Sequence, residues 1–561
     1  MLRKSSASQP NSRVMRGMLV SLAAGFVLLP GLSSANDFCP DIYDQGKFAL
    51  NINPAFMEVA NMQHSNGSSY DGLIVTSFFN RIKSPDGTTS VDWFERDLVA
   101  RIPGIGYRSP SWWNPNQLEI LSDLDVASPV LPSADGQTNW PNEAMKVPDG
   151  ILSFEAIVVP EGFHPAGPPG RITIINLDDP NRTTYIVDQS LQDGSEKCRP
   201  PGHPDNTPLN EPRFYHRVVW FDMDSDGWKD AVTVRSGFKV NTTFCLSPVG
   251  EVVWFKNPGA AIDPNIEWDE HIVVGYPTTN LASDITLDIA DLEGDGVPEI
   301  VGGNFFTGDV VSLYGAPVGD DWTDVDLTTN PPRIAQLSSI NGPTFSVSLN
   351  DLNQDGKLDI LATNHQGDNC FSVTQDPIPG RIFALEQPAS GDIFNDPWVQ
   401  HTLKDNIRPN PTFPTPSGGP GRLAPGLASV LWPSAFDEWS GKKPWIITGG
   451  DEASRVWLLK PVSEDANNWD YDSAAIFDIN DAYGPNTTQS LTAPPPATGV
   501  SISTLGQVVW RYDRDWAWGS YAEIYVPVFE GRDIWRISFR PGPASKKITC
   551  PVDQSVACPA P

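Results

Sequence analysis

Three short segments of the sequence place oxygen-bearing side chains at alternate positions of a tight turn. If the first aspartate is position 1, each segment carries carboxyl or amide groups at positions 1, 3, 5 and 9. These side chains are Asp222, Asp224, Asp226 and Asp230 in the first segment, Asp291, Glu293, Asp295 and Glu299 in the second, and Asp351, Asn353, Asp355 and Asp359 in the third. Alternate residues of a tight turn can converge on one point, and glycine at position 6 (Gly227, Gly296, Gly356) permits the sharp bend.

A convergent set of this kind forms an all-oxygen cage, which suits a hard cation such as Ca²⁺. The backbone carbonyl at position 7, from Trp228, Val297 or Lys357, would add a neutral oxygen. The segments contain no cysteine or histidine, which argues against zinc and copper. We therefore predict three structural Ca²⁺ sites, with an ordinary Asp-Gly hairpin without metal as the alternative for each turn.

The residues around these turns predict β-strands and exclude the helices of an EF-hand. An apolar run precedes each turn, a β-rich run follows it, and position 12 is Thr233, Gly302 or Ala362 instead of glutamate. The unit recurs along the chain at intervals of 60 to 85 residues, with second strands that begin near Leu73, Phe154, Ala231, Ile300, Ile360, Trp445 and Glu523. Seven four-stranded units predict an all-β, seven-bladed β-propeller. Independent sandwiches, the alternative, would need linkers that the sequence lacks.

The last unit runs out of chain after three strands, so its fourth strand must come from elsewhere if the ring closes. We predict that the N-terminal segment 47–51 supplies it and that residues 36–545 form the propeller. Cys39 would then lie near Cys550 and Cys558, in or beside the short C-terminal tail 546–561, and a disulfide could lock the closure.

The acidic turns between strands resemble the FG-GAP/VCBS repeats of the integrin-α-like propeller family. The resemblance covers most of the mature chain and is specific in units three to five. It implies a seven-bladed propeller with Ca²⁺ in β-hairpin loops, and it leaves function open because the family includes adhesion receptors, carbohydrate-binding proteins and enzymes. Four units depart from the pattern: unit one keeps Asp71, unit two Asp149, unit six has lysines in place of ligands, and unit seven has Asp513, Asp515 and Glu523 at altered spacing.

The N-terminus predicts export from the cell. Residues 1–35 combine basic residues, an apolar stretch from Met18 to Leu32 and small residues at 33–35, which is typical of a signal peptide. The apolar stretch is too short to span a bilayer, so we expect a secreted protein without a membrane span after cleavage. The net charge of -31 disfavours nucleic acid as a partner.

Cysteine usage agrees with an oxidising compartment, since the six cysteines are even in number and form no CxxC motif. Cys198 and Cys245 lie in loops of adjacent units and could pair, which leaves Cys370 without an obvious partner. Sequons at Asn66, Asn181, Asn241 and Asn486 would make a glycoprotein if the host glycosylates.

The sequence contains no nucleophile elbow, HExxH motif or phosphate-binding loop, so catalytic residues stay unknown. His271 and His401 follow a tryptophan at the same repeat position, which indicates a structural role. Side chains that could face the mouth of the channel are His216, Arg217, Arg235, Asn364 and His365. Loop tryptophans that could stack on sugar rings are Trp112, Trp113, Trp140 and Trp516 to Trp518.

These features predict an extracellular module that binds a glycan or a surface protein. The alternative is a polysaccharide lyase or hydrolase built on the same scaffold. The acidic surface disfavours an acidic polysaccharide as the ligand unless a local basic patch overrides it.

Overall fold

Twenty-eight strands form a ring of seven antiparallel sheets, which are the blades of a propeller. The structure, a computed structural model, describes residues 38–50, 52–63, 69–77, 97–105, 118–123, 141–162, 170–178, 183–187, 213–239, 247–259, 267–275, 282–308, 310–338, 341–367, 379–389, 392–409, 423–450, 453–484, 488–489, 500–501, 504–513, 520–542 and 545–550. The signal peptide, the sequons, the loop tryptophans, Asp515 and four of the cysteines (Cys198, Cys245, Cys370 and Cys558) lie outside these ranges.

Blades 1 to 4 each consist of four consecutive strands. Blade 1 contains Pro54–Gln63, Ser69–Ser77, Leu98–Ile102 and Glu119–Asp123. Blade 2 contains Met145–Lys146, Ala156–Pro160, Ile172–Asn176 and Thr183–Val187. Blade 3 contains Arg213–Phe221, Asp230–Lys239, Ser247–Lys256 and Asp269–Val274, and blade 4 contains Thr286–Ala290, Glu299–Gly303, Val311–Gly315 and Arg333–Ser338.

Blades 5 and 6 repeat this plan, and blade 7 combines both ends of the chain. Blade 5 contains Thr344–Asn350, Asp359–Asn364, Gly380–Glu386 and Val399–Ile407, and blade 6 contains Ala428–Leu431, Trp445–Gly449, Arg455–Pro461 and Tyr471–Asp478. Blade 7 contains Val509–Tyr512, Ala522–Val528, Asp533–Ser538 and Tyr43–Ala49, with Lys546–Lys547 as a short outer fifth strand.

The remaining elements are short. Two small pairs join Gln366–Gly367 to Leu423–Ala424 and Thr488–Gln489 to Val500–Ser501. The helices are a 3-10 turn at Trp322–Asp324 and two α-helices at Ala435–Trp439 and Ile479–Tyr483. Among the described residues, no helix has the length and hydropathy that crossing a membrane would require.

The sequence correctly predicts seven blades, and each predicted second strand begins within a few residues of the observed one. The largest difference is in blade 1, where the strand begins at Ser69, four residues before Leu73. In blade 2 the strand begins at Ala156, two residues after Phe154. The second strands are apolar on both faces because each blade packs against two neighbours. Ile300, for example, belongs to the core between blades 3 and 4, whereas the adjacent Val301 belongs to the core between blades 4 and 5.

Seven apolar cores result, one at each interface between neighbouring blades. The first strands of most neighbouring blades contact one another, and we call the surface that they form the inner wall of the ring. We call the end where the first strand of each blade begins the entry side, and the opposite end, which carries the turns from first to second strand, the turn side.

The predicted closure is confirmed. Tyr43–Ala49 pairs antiparallel with Asp533–Ser538, and Phe48 enters the core between blades 7 and 1. Cys39 and Cys550 form a disulfide with 5.6 Å between their Cα atoms, so the closing strand is also held covalently.

We predict that Cys39→Ser lowers the free energy of unfolding by about 2–5 kcal/mol, because the disulfide restricts the unfolded chain across a separation of 511 residues. Urea unfolding of the mature protein measures this change. Cys550→Ser should have the same effect, and the double variant should add nothing to either single change. Additive losses would show that the two cysteines act independently.

Candidate functional site

The three acidic turns share one backbone conformation. Positions 4 and 6 have positive φ in every turn: 57° and 93° at Ser225 and Gly227, 73° and 93° at Gly294 and Gly296, and 62° and 90° at Gln354 and Gly356. The near-identical angles at position 6 require glycine in all three turns. The repeat detected in the sequence is therefore also a repeat of local geometry.

The carboxylate at position 1 organises each turn by accepting backbone hydrogen bonds. Asp222 accepts from the amides of Asp226 at 3.1 Å and Gly227 at 2.9 Å. Asp291 and Asp351 accept from the corresponding amides of their own turns, at 2.9–3.1 Å. These bonds curl the loop so that the side chains at positions 1, 3 and 5 lie on its inner side.

The carboxylate at position 9 is buried and attaches the turn to its blade. Asp230 accepts from the amide of Met223 within the turn and from the amide of Asn257, which directly follows the third strand, both at 2.8 Å. Asp359 is held in the same way, by the amides of Leu352 and Gln387 at 3.1 Å. Desolvation by burial raises the pKa of Asp230 to about 6, and that of Glu299 and Asp359 to about 7.

The structure brings the predicted ligands together most closely in blade 3. One oxygen from each of Asp222, Asp224 and Asp226 lies within 4.8 Å of the others. Lys256 forms ion pairs with Asp224 and, at 2.9 Å, with Asp226. Three carboxylates with no nitrogen or sulfur donor among them fit Ca²⁺ by donor chemistry.

The turns of blades 4 and 5 differ in their charged neighbours. In blade 4, Arg333 pairs with Glu293 at 2.7 Å and with Glu299 at 3.6 Å. In blade 5, no lysine or arginine of the described ranges pairs with Asp351 or Asp355, because Lys357 donates instead to the carbonyl of Pro388 at 2.7 Å. Ligand assignments at Val297, Asp295, Asn353 and the other predicted positions stay predictions.

The remaining blades have different chemistry at the equivalent turns. In blade 2, Lys146 lies 2.8 Å from Asp149 and 3.2 Å from Glu155, and in blade 6 Lys442 pairs with Asp437 at 2.5 Å. The carboxyls that sequence reasoning considered in units one and seven are also paired with cations: Arg511 joins Asp71 at 2.6 Å to Glu523 at 2.9 Å, and Arg536 also pairs with Glu523.

On the inner wall, a buried ion pair connects the first strands of several blades. Glu143, which precedes the first strand of blade 2, accepts from Arg217 at 2.6 Å and lies 3.1 Å from Nδ1 of His216. Arg217 also donates to the carbonyl of Val347 in blade 5 at 3.4 Å. Consecutive strand residues normally face opposite ways, but a β-bulge between Tyr215 and Val218 brings both His216 and Arg217 to Glu143.

Burial and neighbouring charge act in opposite directions on Glu143. Burial alone would raise its pKa, but the charge of Arg217 and the hydrogen bond with His216 outweigh burial and lower the pKa to about 2. Glu143 is therefore ionised at neutral pH.

An aromatic layer lies on the entry side of this ion pair. Phe56 packs edge-on against His216 at 5.1 Å, and Phe345 stacks on His365 at 4.3 Å and contacts His216 at 6.0 Å. His365 Nδ1 lies 2.7 Å from the carbonyl oxygen of Pro425, and burial lowers the pKa of His365 to about 4. The imidazole is therefore neutral, and the rings act as packing between blades.

Two of the residues expected at the mouth of the channel do not point there. Arg235 is directed along its own blade, where it pairs with Glu251 at 2.8 Å and Glu270 at 2.7 Å on the outer strands. That expectation was wrong because Arg235 lies on a second strand, which the first strand separates from the channel. The side-chain amide of Asn364 instead donates hydrogen bonds to the backbone carbonyls of Asn341 and Pro379, at 2.5 and 3.0 Å.

His271 and His401 lie on fourth strands. His271 stacks on Trp254 at 4.0 Å, and His401 stacks on Trp469 at 4.2 Å. The first contact lies within blade 3, and the second joins blade 5 to the residue that precedes the fourth strand of blade 6 by two positions. Both are packing interactions.

Sequence reasoning missed a second carboxyl group on the inner wall. Glu58 accepts a hydrogen bond from the amide of Lys146 at 2.5 Å and, with Glu143, borders a cavity of about 230 Å³ between the first strands of blades 1, 2, 6 and 7. Desolvation raises the pKa of Glu58 to about 8. The signal in the sequence is a single acidic residue inside the otherwise apolar run Phe56–Ala60.

Comparison with known proteins adds the following. No family model and no curated protein matches the chain. Among solved structures, the α-L-arabinanase of Cellvibrio cellulosa in complex with arabinohexaose is 13% identical, with a TM-score of 0.28, over 60% of this chain and 96% of that one. The same enzyme without the sugar is 12% identical, with a TM-score of 0.28, over 59% of this chain and 95% of that one. A similarity this low carries no argument about function.

Because the donor set of the acidic turns fits Ca²⁺, we predict that EGTA lowers the melting temperature of the purified protein. A site filled at a hundred times its Kd adds about 2.7 kcal/mol to the free energy of unfolding. Asp226→Asn should reduce this calcium-dependent stabilisation. Asp326→Asn, which also removes an exposed turn carboxylate, should leave it unchanged. A melting temperature insensitive to EGTA would refute the calcium sites.

The two inner-wall carboxyls should respond to pH in opposite ways. Between the usual pKa of 4.5 and the folded value of about 8, folded Glu58 keeps a proton that the unfolded chain has lost, so stability falls as pH rises. We predict that Glu58→Gln is more stable than wild type by a few kcal/mol at pH 9, and that this gain disappears by pH 4. Denaturant unfolding at several pH values measures the difference.

Glu143→Gln is the matched variant. It should cost about 3–5 kcal/mol at pH 7, because it leaves the buried Arg217 without its main partner. Equal pH profiles for the two variants would contradict the different environments assigned to the two carboxyls.

Proposed function

We propose that the protein is an exported, calcium-binding propeller that acts as an extracellular binding module for a glycan. Export is supported by the predicted signal peptide and by the Cys39–Cys550 disulfide, which is typical of oxidising compartments. Calcium binding is supported by the shared geometry of the three acidic turns. Membership of the FG-GAP/VCBS family and calcium as the resident ion are parts of this proposal.

The observation that carries a binding role is an exposed aromatic surface on the turn side of blades 6 and 7. Phe436 and Trp439, on the short helix Ala435–Trp439, are 61% and 81% exposed, and their ring centroids lie 5.9 Å apart. Tyr521, which is 39% exposed, adjoins them because Ser434 and Tyr521 form a β-bridge. We call Phe436, Trp439 and Tyr521 the aromatic surface.

The aromatic surface replaces an acidic turn with a different kind of site. It occupies the first-to-second-strand connection of blade 6, where blades 3 to 5 carry their acidic turns. Ser434 caps the helix by accepting from the amide of Asp437, which stabilises the backbone that carries Phe436 and Trp439. Exposed large aromatics grouped on a rigid element mark interaction sites more often than scattered apolar residues do.

The acidic turn of blade 5 lies next to the connection that carries Phe436 and Trp439. A Cβ added at Gly441 would lie 4.0 Å from the side-chain oxygen of Gln354, so the acidic turn of blade 5 adjoins the connection that carries the aromatic surface. Flat aromatic faces beside carboxyl and amide groups suit sugars, which offer apolar C–H faces and hydroxyl edges. A surface protein is the other ligand class consistent with this patch.

The test is retention on immobilised neutral polysaccharides and on a glycan array. We predict that Phe436→Ala and Trp439→Ala each weaken retention by about fivefold, since each removes a stacking face of about 1 kcal/mol. Val318→Ala, which truncates another exposed apolar residue, is the matched control and should retain wild-type binding.

Two results would contradict the glycan proposal. One is an array on which no glycan is retained, and the other is retention that both aromatic variants leave intact. Release of soluble sugar from a retained polysaccharide would favour a hydrolase, the alternative expected from the sequence.

A further inference from the structure

The cavity beside Glu58 has the chemistry of a second ligand site, distinct from the aromatic surface. Its walls come from the inner strands of four blades and from the residues directly before two of these strands. Glu58 and Glu143 lie on one side, and Ser429 and Gln507 come from blade 6 and from the segment that leads into blade 7. Val59, Val508 and Trp510 supply apolar lining.

The charge of the walls favours an uncharged ligand. The charge of Glu143 is balanced by Arg217, with which it pairs at 2.6 Å. The ammonium of Lys146 is also balanced, by Asp149 at 2.8 Å and Glu155 at 3.2 Å. Glu58 is therefore the remaining wall group that can change the net charge, and its burial favours the neutral acid.

The polar wall groups form both kinds of hydrogen bond. A protonated Glu58 and Ser429 can donate and accept, and Gln507 can donate through its amide nitrogen and accept through its oxygen. Hydroxyl groups need such mixed partners. The carboxylate of Glu143 is already bonded to His216 and Arg217. The apolar residues of the lining, especially the indole of Trp510, would cover a ligand face that carries only C–H groups.

The size limits the ligand to about one ring. The volume of about 230 Å³ is below the range of roughly 300–1,000 Å³ that holds drug-sized molecules. We propose that this cavity binds a single uncharged sugar residue through Glu58, Ser429 and Gln507, with Trp510 against its apolar face. The residue is either a free monosaccharide or the end of a longer chain.

Ligand-observed NMR and calorimetry on the intact, calcium-loaded protein test the proposal with a panel of methyl hexosides and pentosides. We expect at least one neutral glycoside to bind. Ser429→Leu, which fills the cavity, should weaken binding more than tenfold, and Ser429→Ala, which removes only the hydroxyl, should weaken it severalfold. Ser440→Ala, an exposed serine on the turn side, should bind as wild type does.

The pH profile separates a role of Glu58 in binding from simple packing. Wild-type affinity should fall as pH rises from 6 to 9, because ionised Glu58 loses its donor and adds a charge, whereas Glu58→Gln should be flat. The charged groups around Glu58 that set this profile are Lys146, Glu143 and Arg217, together with Asp149 and Glu155 behind Lys146.

Several results would overturn the proposal: no glycoside in the panel binds, Ser429→Leu leaves binding unchanged, or the cationic analogue glucosamine binds better than glucose. Comparison of methyl glycosides with matching oligosaccharides distinguishes a free sugar from a chain end. The glycoside assay with Ser429→Leu and the polysaccharide-retention assay with Phe436→Ala test residues of different surfaces, so failure of this site and failure of the aromatic surface give different results.

Discussion

The closed ring is the constraint on which every other feature depends. Each blade is apolar on both faces, so a blade without two neighbours would expose a core to water. The interface between blades 7 and 1 is the one that the linear chain does not supply automatically. The N-terminal strand Tyr43–Ala49 completes blade 7, and Phe48, Leu50 and Ile52 fill the core that blade 7 shares with blade 1. Arg511 adds a buried ionic link across the same interface, from Glu523 to Asp71.

The turn side shows several solutions to one electrostatic problem. Carboxylates favour tight turns because they accept backbone hydrogen bonds, but grouped carboxylates repel one another. Blades 2 and 6 counter this repulsion with Lys146 and Lys442, and the carboxyls of blades 1 and 7 share Arg511. Blades 3 and 4 carry more carboxylates than Lys256 and Arg333 can balance, and blade 5 has the weakest compensation. The proposed Ca²⁺ ions would complete this series with a divalent charge.

The fold was largely predictable because a propeller repeats its turn chemistry at regular intervals. Asp222, Asp291 and Asp351 mark equivalent turns, and the missing fourth strand of the last unit identified its N-terminal replacement. Side-chain direction was harder to predict. Arg235 was wrongly expected at the channel, and the bulge that turns His216 and Arg217 towards Glu143 leaves no clear sequence signal. Glu58 was missed because its role depends on the contact with Lys146 of the next blade.

The pairing of the first strand with the last blade also shapes how the chain folds. Tyr43 pairs with Ser538, so the closing strand Tyr43–Ala49 stays without its partner until the third strand of blade 7 has been synthesised. Contacts of such sequence separation form slowly, because the entropy of closing the loop is lost before the contact is gained. Blades 1 to 6 can assemble from local hairpins in the meantime. A circularly permuted chain that begins between two blades would have all its strands in local order and should fold faster to the same ring.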